Sequence, residues 1–108
     1  MTNHEMNLNI RYDAAQEIWD KVPLIYGQLN GWIGYGTGGE NGENGIPYWF
    51  SFNENEKDIS ASVEPSGLHF SGLMDPNEWV FWVKEIKEIA TRELGYKVGE
   101  IELGEIDF

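Results

Sequence analysis

Residues 59–95 read ISASVEPSGLHFSGLMDPNEWVFWVKEIKEIATRELG, and the signals in that run decide the fold. Ile59, Ala61 and Val63 alternate with Ser60, Ser62 and Glu64, the period of a strand with one face in the core. Pro65-Ser66-Gly67 turns the chain, and Leu68 and Phe70 carry a returning strand with a gap at Gly72. Asp75 then offers an N-cap, Pro76 suits the first helical position, and Glu78 completes a capping box beside the positive end of the helix dipole. Trp79, Trp82, Val83, Ile86, Ile89, Ala90 and Leu94 follow the helical period, and Gly95 supplies a left-handed C-cap. Trp79 and Trp82 are assigned to the core. Val80 and Phe81 fall off that stripe, which predicts a helix buried on two sides or, as the alternative, one with part of its surface against another chain.

Working back from residue 59, Asn53 to Asp58 reads as a polar turn, preceded by an aromatic strand from Ile46 to Phe52. Three strands joined by short turns predict an antiparallel meander. The stretch from Gly27 to Gly45 holds eight of the thirteen glycines, which predicts a mobile surface loop over Gly36–Gly45. Near the start, Met6, Leu8, Ile10 and Tyr12 alternate with polar residues and predict a strand. Asp13 as N-cap and Gln16 three residues on predict a helix carrying Ile18, Trp19, Val22, Ile25, Tyr26 and Leu29. Pro23 inside it predicts a kink or two short helices. Tyr96 to Phe108 alternates with a phase change at Gly104, which predicts a last strand with a β-bulge. The expected architecture is one α+β domain over residues 1–108. Its sheet is mainly antiparallel, with four to five strands packed by two helical regions in the order β-α-β-β-β-α-β.

Composition bounds the function. The chain has 108 residues, fifteen of them aromatic (5 Trp, 5 Tyr, 5 Phe), enough for a compact core. Cysteine is absent, which excludes a disulfide framework, a thiolate metal site and a cysteine nucleophile. No signal-peptide pattern or membrane-length apolar run is present, and the expected location is the cytoplasm. Seven Lys+Arg against nineteen Asp+Glu give a net charge of −12. That field opposes nucleic acid and anionic membranes and favours a basic partner.

Catalytic and cofactor signals are weak. Gly34, Gly36 and Gly39 satisfy G-x-G-x-x-G, but Glu40 and Glu43 follow and no Lys or Arg lies between Lys21 and Lys57. A phosphate cradle needs a strand before the glycines and a helix after them, so no nucleotide is expected. The acidic turns lack the calcium-loop spacing, and His4 and His69 have no partner at helical spacing. His4 reads as part of a frayed terminus and His69 as a surface residue. The expectation is a non-enzyme without cofactor or metal.

Partner binding is the better-supported class. Glu40, Glu43, Glu54, Glu56 and Asp58 form the densest acidic stretch in the loops, and Glu100, Glu102, Glu105 and Asp107 the densest in the tail. Trp49 alternates opposite to Tyr48, Phe50 and Phe52, so on a solvent face it would serve as an interface anchor.

The run Glu78-Trp-Val-Phe-Trp-Val-Lys-Glu-Ile-Lys87, with Ala90-Thr91 and Leu94-Gly-Tyr-Lys-Val-Gly-Glu-Ile-Glu102 after it, resembles the C-terminal helix-strand unit of small bacterial immunity proteins. These belong to polymorphic toxin and contact-dependent inhibition systems. The resemblance is one of architecture and assigns no individual residue. It implies stoichiometric neutralisation of a basic toxin domain, for example a nuclease, with the acids imitating a phosphate backbone. The alternative is a small intracellular protein-binding or scaffold domain outside any toxin system, homodimeric through a sheet edge.

Overall fold

A computed structural model describes residues 1–37 and 44–106 of the chain. The elements are β1 (Thr2–Leu8), α1 (Gln16–Gln28), β2 (Trp32–Thr37), β3 (Asn44–Trp49), β4 (Asp58–Glu64), β5 (Gly67–Met74) and α2 (Pro76–Leu94). They form one five-stranded sheet in the order β1-β5-β4-β3-β2, antiparallel at every seam. The α+β class and the meander from β3 to β5 are as the sequence predicts. The element order differs at two places: a strand forms within the glycine-rich stretch, and among the described residues no strand follows α2.

Local chemistry accounts for α2. Asp75 Oδ1 accepts a hydrogen bond from the Asn77 N–H at 2.9 Å, Pro76 occupies the first turn, and Gly95 closes the helix at φ 79°. Each device satisfies or removes an orphan backbone group. Glu78 does not complete a capping box; it pairs with Lys57 instead. α1 starts later than expected, at Gln16, with Ala15 preceding it and no side-chain cap. Asp13 is engaged by Arg11 at 2.9 Å, which removes it from capping. Pro23 lies on the exposed side of a single helix, so its missing N–H removes one bond without dividing the element.

Both helices pack on one face of the sheet. Met6 and Leu8, Trp49, Ile59 and Ala61, and Leu68 and Phe70 bring four strands to that face, where Ile25, Tyr26, Trp82 and Ile86 meet them. The centre is aromatic: Trp82 packs at 5.2 Å from Trp49 and 5.7 Å from Phe70, and Tyr26 at 5.1 Å from Trp49. Trp49 and Trp82 keep their indole N–H groups satisfied by donating to the Tyr26 and Asn30 carbonyls, as buried indoles require. Val80 and Phe81 are exposed, Phe81 at 73%. α2 is therefore buried on one side, not two.

β1 lies earlier than the predicted strand. Ile10 stays buried just beyond it, whereas Tyr12 is exposed. His4 is not frayed: it stacks on Trp79 at 5.0 Å and contacts the Met74 carbonyl at 3.1 Å. The tail makes one bridge, Leu8–Glu100, followed by turns. Backbone bonds from Asn9 N–H to the Gly99 carbonyl and from Ile101 N–H to the Asn7 carbonyl join it to the outer edge of β1. Gly104, at φ 66°, belongs to those turns rather than to a bulged strand.

Candidate binding face and cleft

The strand period that buries one face presents the other. Glu5 and Asn7 of β1, His69 and Ser71 of β5, and Ser60 and Ser62 of β4 lie on the side away from the helices. None of the seven basic residues stands in any of the five strands. Carboxylates do gather there. Glu5 lies 3.9 Å from His69 Nε2, and Glu64 accepts from the Ser62 hydroxyl at 2.9 Å. Glu102 accepts from the Asn7 amide at 2.6 Å, and Glu54 and Asp58 border the same face beside Ser60 and Ser71. His69 also contacts the Asn7 amide oxygen at 3.0 Å, so it belongs to this network rather than standing free.

The predicted binding residues divide. Glu54 and Glu56 are exposed, and Glu56 accepts from Ser51 and Asn53 across the turn. Asp58 is 4% exposed, and its Oδ1 accepts from the Leu73 N–H at 3.3 Å. Burial, with the charge of Glu54, pushes its carboxyl above the usual range despite that bond. Asp58 is thus a strand-end residue of the sheet rather than a free anionic contact. In the tail, Glu100 and Glu105 converge on Lys87 Nζ at 2.6 and 2.8 Å. Glu105 also accepts from the Glu100 N–H at 2.8 Å, and these bonds hold its carboxyl below the usual range. Burial alone would lower the Lys87 ammonium, but its two carboxylate partners raise it. Glu100 and Glu105 therefore fasten the tail, and Glu102 faces the open side. Glu40, Glu43 and Asp107 lie outside the described residues.

Trp49 is corrected outright. It is 0% exposed and lies at the centre of the aromatic core, so it is no interface anchor. Strand alternation separates two faces but does not say which one the helices cover. The glycine motif is also resolved in part: Gly34 and Gly36 are inside β2, paired with Tyr48 and Ile46, rather than in a strand-to-helix turn. Gly39 and the middle of the predicted Gly36–Gly45 loop lie outside the described residues.

The sequence reading missed a cleft that passes through the sheet. Among the described residues, β3 joins β4 through Tyr48–Ser60 and Trp49–Ile59 alone. Antiparallel hydrogen bonding alternates between neighbours along a strand. The Phe50 N–H donates to the Gly31 carbonyl at 2.7 Å on the β2 side. Tyr48 therefore also presents its backbone to β2, and Trp49 and Pro47 present theirs to β4. The next hydrogen-bonded position is Pro47–Ala61, where the Pro47 carbonyl can accept from the Ala61 N–H but Pro47 has no N–H to return. Beyond it the strands part around a cleft of about 610 Å³. Val22, Tyr26 and Leu68 line its helix side, Tyr35 and Pro47 one wall, and Ala61 and Val63 the other. Ser62, Glu54 and Glu64 stand at its opening toward the uncovered face. A proline inside the aromatic strand was the available signal.

Among the described residues no group of three or more His, Asp or Glu is placed to hold a metal ion, and no helix is long and apolar enough to cross a membrane. No family model, curated protein or solved structure matches this chain.

Proposed function

We propose that the protein acts by stoichiometric binding of a basic protein partner through its uncovered sheet face, in the manner of an immunity protein that neutralises a toxin domain. The observation that carries this reading is the face itself: five strands without a lysine or arginine, bordered by Glu5, Glu54, Glu64 and Glu102, in a chain of net charge −12. Complementary charge speeds encounter and disfavours acidic competitors. The serines and Asn7 between the carboxylates add hydrogen-bonding groups that charge alone does not supply. In this reading the chain acts by occupancy rather than turnover, and the tail carboxylates Glu100 and Glu105 are structural.

The test is co-expression with the toxin-like product of the neighbouring gene. A one-to-one complex and protection of growth are expected. The association rate should fall steeply with salt, since screening shortens to about 8 Å at physiological ionic strength. Reversing Glu5 and Glu64 to lysine should slow association about tenfold or more and leave the dissociation rate nearly unchanged. Absence of both complex and protection would remove the immunity reading.

A further inference from the structure

We propose that the cleft between β3 and β4 is a binding site for a small organic amine with an apolar body and an oxygen acceptor. The acceptor meets the Tyr26 hydroxyl, the body lies between Tyr35 and Val63, and the ammonium points to Glu54 and Glu64 at the open face.

Tyr26 supplies the first argument. It is 6% exposed and lines the cleft, yet its hydroxyl has no hydrogen-bond partner among the described residues. A buried phenol ordinarily finds one. Its ring is held by Trp49 at 5.1 Å, Trp32 at 5.7 Å and Phe70 at 6.4 Å, so the hydroxyl is not free to swing elsewhere. No fully occluded polar side-chain atom lacks a partner among the described residues, so this hydroxyl borders open space, and the space that Tyr26 lines is the cleft. Burial, and then the nearby Tyr35, push its pKa up, which keeps it a neutral donor at neutral pH. What it lacks is an acceptor.

The walls define the rest of the ligand. Val22, Ala61 and Leu68 are buried and form an apolar floor. Tyr35 and Val63 flank that floor; their strands carry them to the helix side, yet they remain 45% and 54% exposed. An apolar body seated between them takes that surface out of water. The volume of about 610 Å³ falls within the range of about 300–1,000 Å³ that holds small organic ligands. Toward the uncovered face the cleft is lined by Glu54 and Glu64, with Ser60, Ser62 and Ser71 beside them, and among the described residues by no lysine, arginine or histidine. That charge selects an ammonium group over a carboxylate.

The proposal stands on Tyr26 and the cleft walls and does not depend on the acidic-face reading; the two fail separately. The probe is para-acetylbenzylamine, titrated into the labelled full chain and followed by amide shifts. Two companions isolate its parts: para-isopropylbenzylamine keeps the charge and replaces the carbonyl oxygen by a methyl group, and para-acetylbenzoate keeps the carbonyl and reverses the charge. Saturable shifts at Val22, Tyr26, Ala61 and Leu68 are expected with the first at about millimolar concentration. The second should bind about threefold or more weakly, and the third should give no saturable shift. Tyr26→Phe, which removes only the hydroxyl, should weaken the acetyl amine about threefold or more and leave the isopropyl amine bound as before, which also reports that the cleft is intact. No saturable shift at those four residues, equal binding of the two amines, binding of the benzoate as tight as that of the amine, or an acetyl amine indifferent to Tyr26→Phe would each overturn the proposal. Shifts confined to Ser62 and Glu64 with both amines would do so too, while leaving the acidic face supported.

Discussion

β4 is shared by two antiparallel seams that differ in length. On one side it pairs with β5 through seven register positions, Asp58–Leu73 to Glu64–Gly67. On the other it pairs with β3 through two, Tyr48–Ser60 and Trp49–Ile59. Both seams carry apolar side chains into the same core, so hydrophobic burial does not set the difference. A tight turn holds the first in register. The second ends at Pro47, which can accept from the Ala61 N–H but cannot donate in return. A single imino acid at an inward hydrogen-bonding position thus removes one of the two bonds of its pair without ending the packing around it. The sheet is closed on the β5 side and open through its middle on the β3 side.

The largest expected effect is at the short seam's one large staple. Trp49→Ala removes the ring that touches Tyr26, Trp32, Phe70 and Trp82, and should cost about 3–5 kcal/mol in denaturant unfolding. If it costs under about 1 kcal/mol, far less than a buried large-to-small change should, the two residue pairs hold the seam without the core, and the comparison breaks. On the long seam, a Cβ at Gly72 would stand 2.0 Å from the Asp58 carbonyl oxygen. Gly72→Val should therefore cost about 3 kcal/mol or more, since the neighbour is backbone that cannot step aside. Full tolerance would mean that the long seam is as yielding as the short one.

A smaller effect belongs to the edge of the sheet, where Lys87, Glu100 and Glu105 fasten the tail beside β1. Lys87→Met should cost about 1–3 kcal/mol and speed exchange at the Asn9 and Ile101 amides, leaving both β4 seams unchanged. The pH dependence follows from the shifts. The lowered Glu105 carboxyl contributes fully above the ordinary glutamate value, and that contribution is lost as pH falls through its lower folded value. The raised Lys87 ammonium contributes fully below the ordinary lysine value, and that is lost as pH rises through its higher folded value. Lys87→Met should remove the alkaline limb of a stability profile measured by thermal unfolding and reduce the acid limb, which the Glu100 N–H bond to Glu105 still supports.

What was legible in the sequence was what local chemistry decides. The Asp75-Pro76 cap, the Gly95 stop and the Pro65-Ser66-Gly67 turn each act within a few residues, and α2, β4 and β5 lie within two residues of the predicted bounds. β2 was hidden because Gly34 and Gly36 interrupt its alternation; its strand state comes from pairing with β3, a tertiary event. The tail erred in the opposite direction. Ile101 and Leu103 alternate, yet their segment is held by Lys87 and by the edge of β1, and Leu103 is exposed. The acids of the candidate site were visible as composition. Their division into tail fasteners and open-face groups depends on where Lys87 and Asn7 come to lie, which no local pattern encodes. Pro47 was visible, but its consequence depends on which neighbour its missing N–H faces.

The smallest expected change in stability, and the sharpest probe of the comparison, is Pro47→Ala. The restored hydrogen bond contributes about 0.5–1.5 kcal/mol, and the loss of proline's restriction of the unfolded chain offsets about 0.4–1 kcal/mol. The net change in stability should be close to zero, and the amide restored at position 47 should be protected from exchange, because it donates to the Ala61 carbonyl.

Native-state hydrogen exchange along β4 of the unaltered protein tests the central claim most directly. Protection is expected at the Ser60 and Ser62 amides, which bond to β5, and at the Ala61 amide, which faces the Pro47 carbonyl, whereas the Val63 amide, beyond the last β3 pair, should exchange about a hundredfold faster or more. Comparable protection at all four amides would contradict it, because β4 would then be paired along both edges and the cleft would be closed.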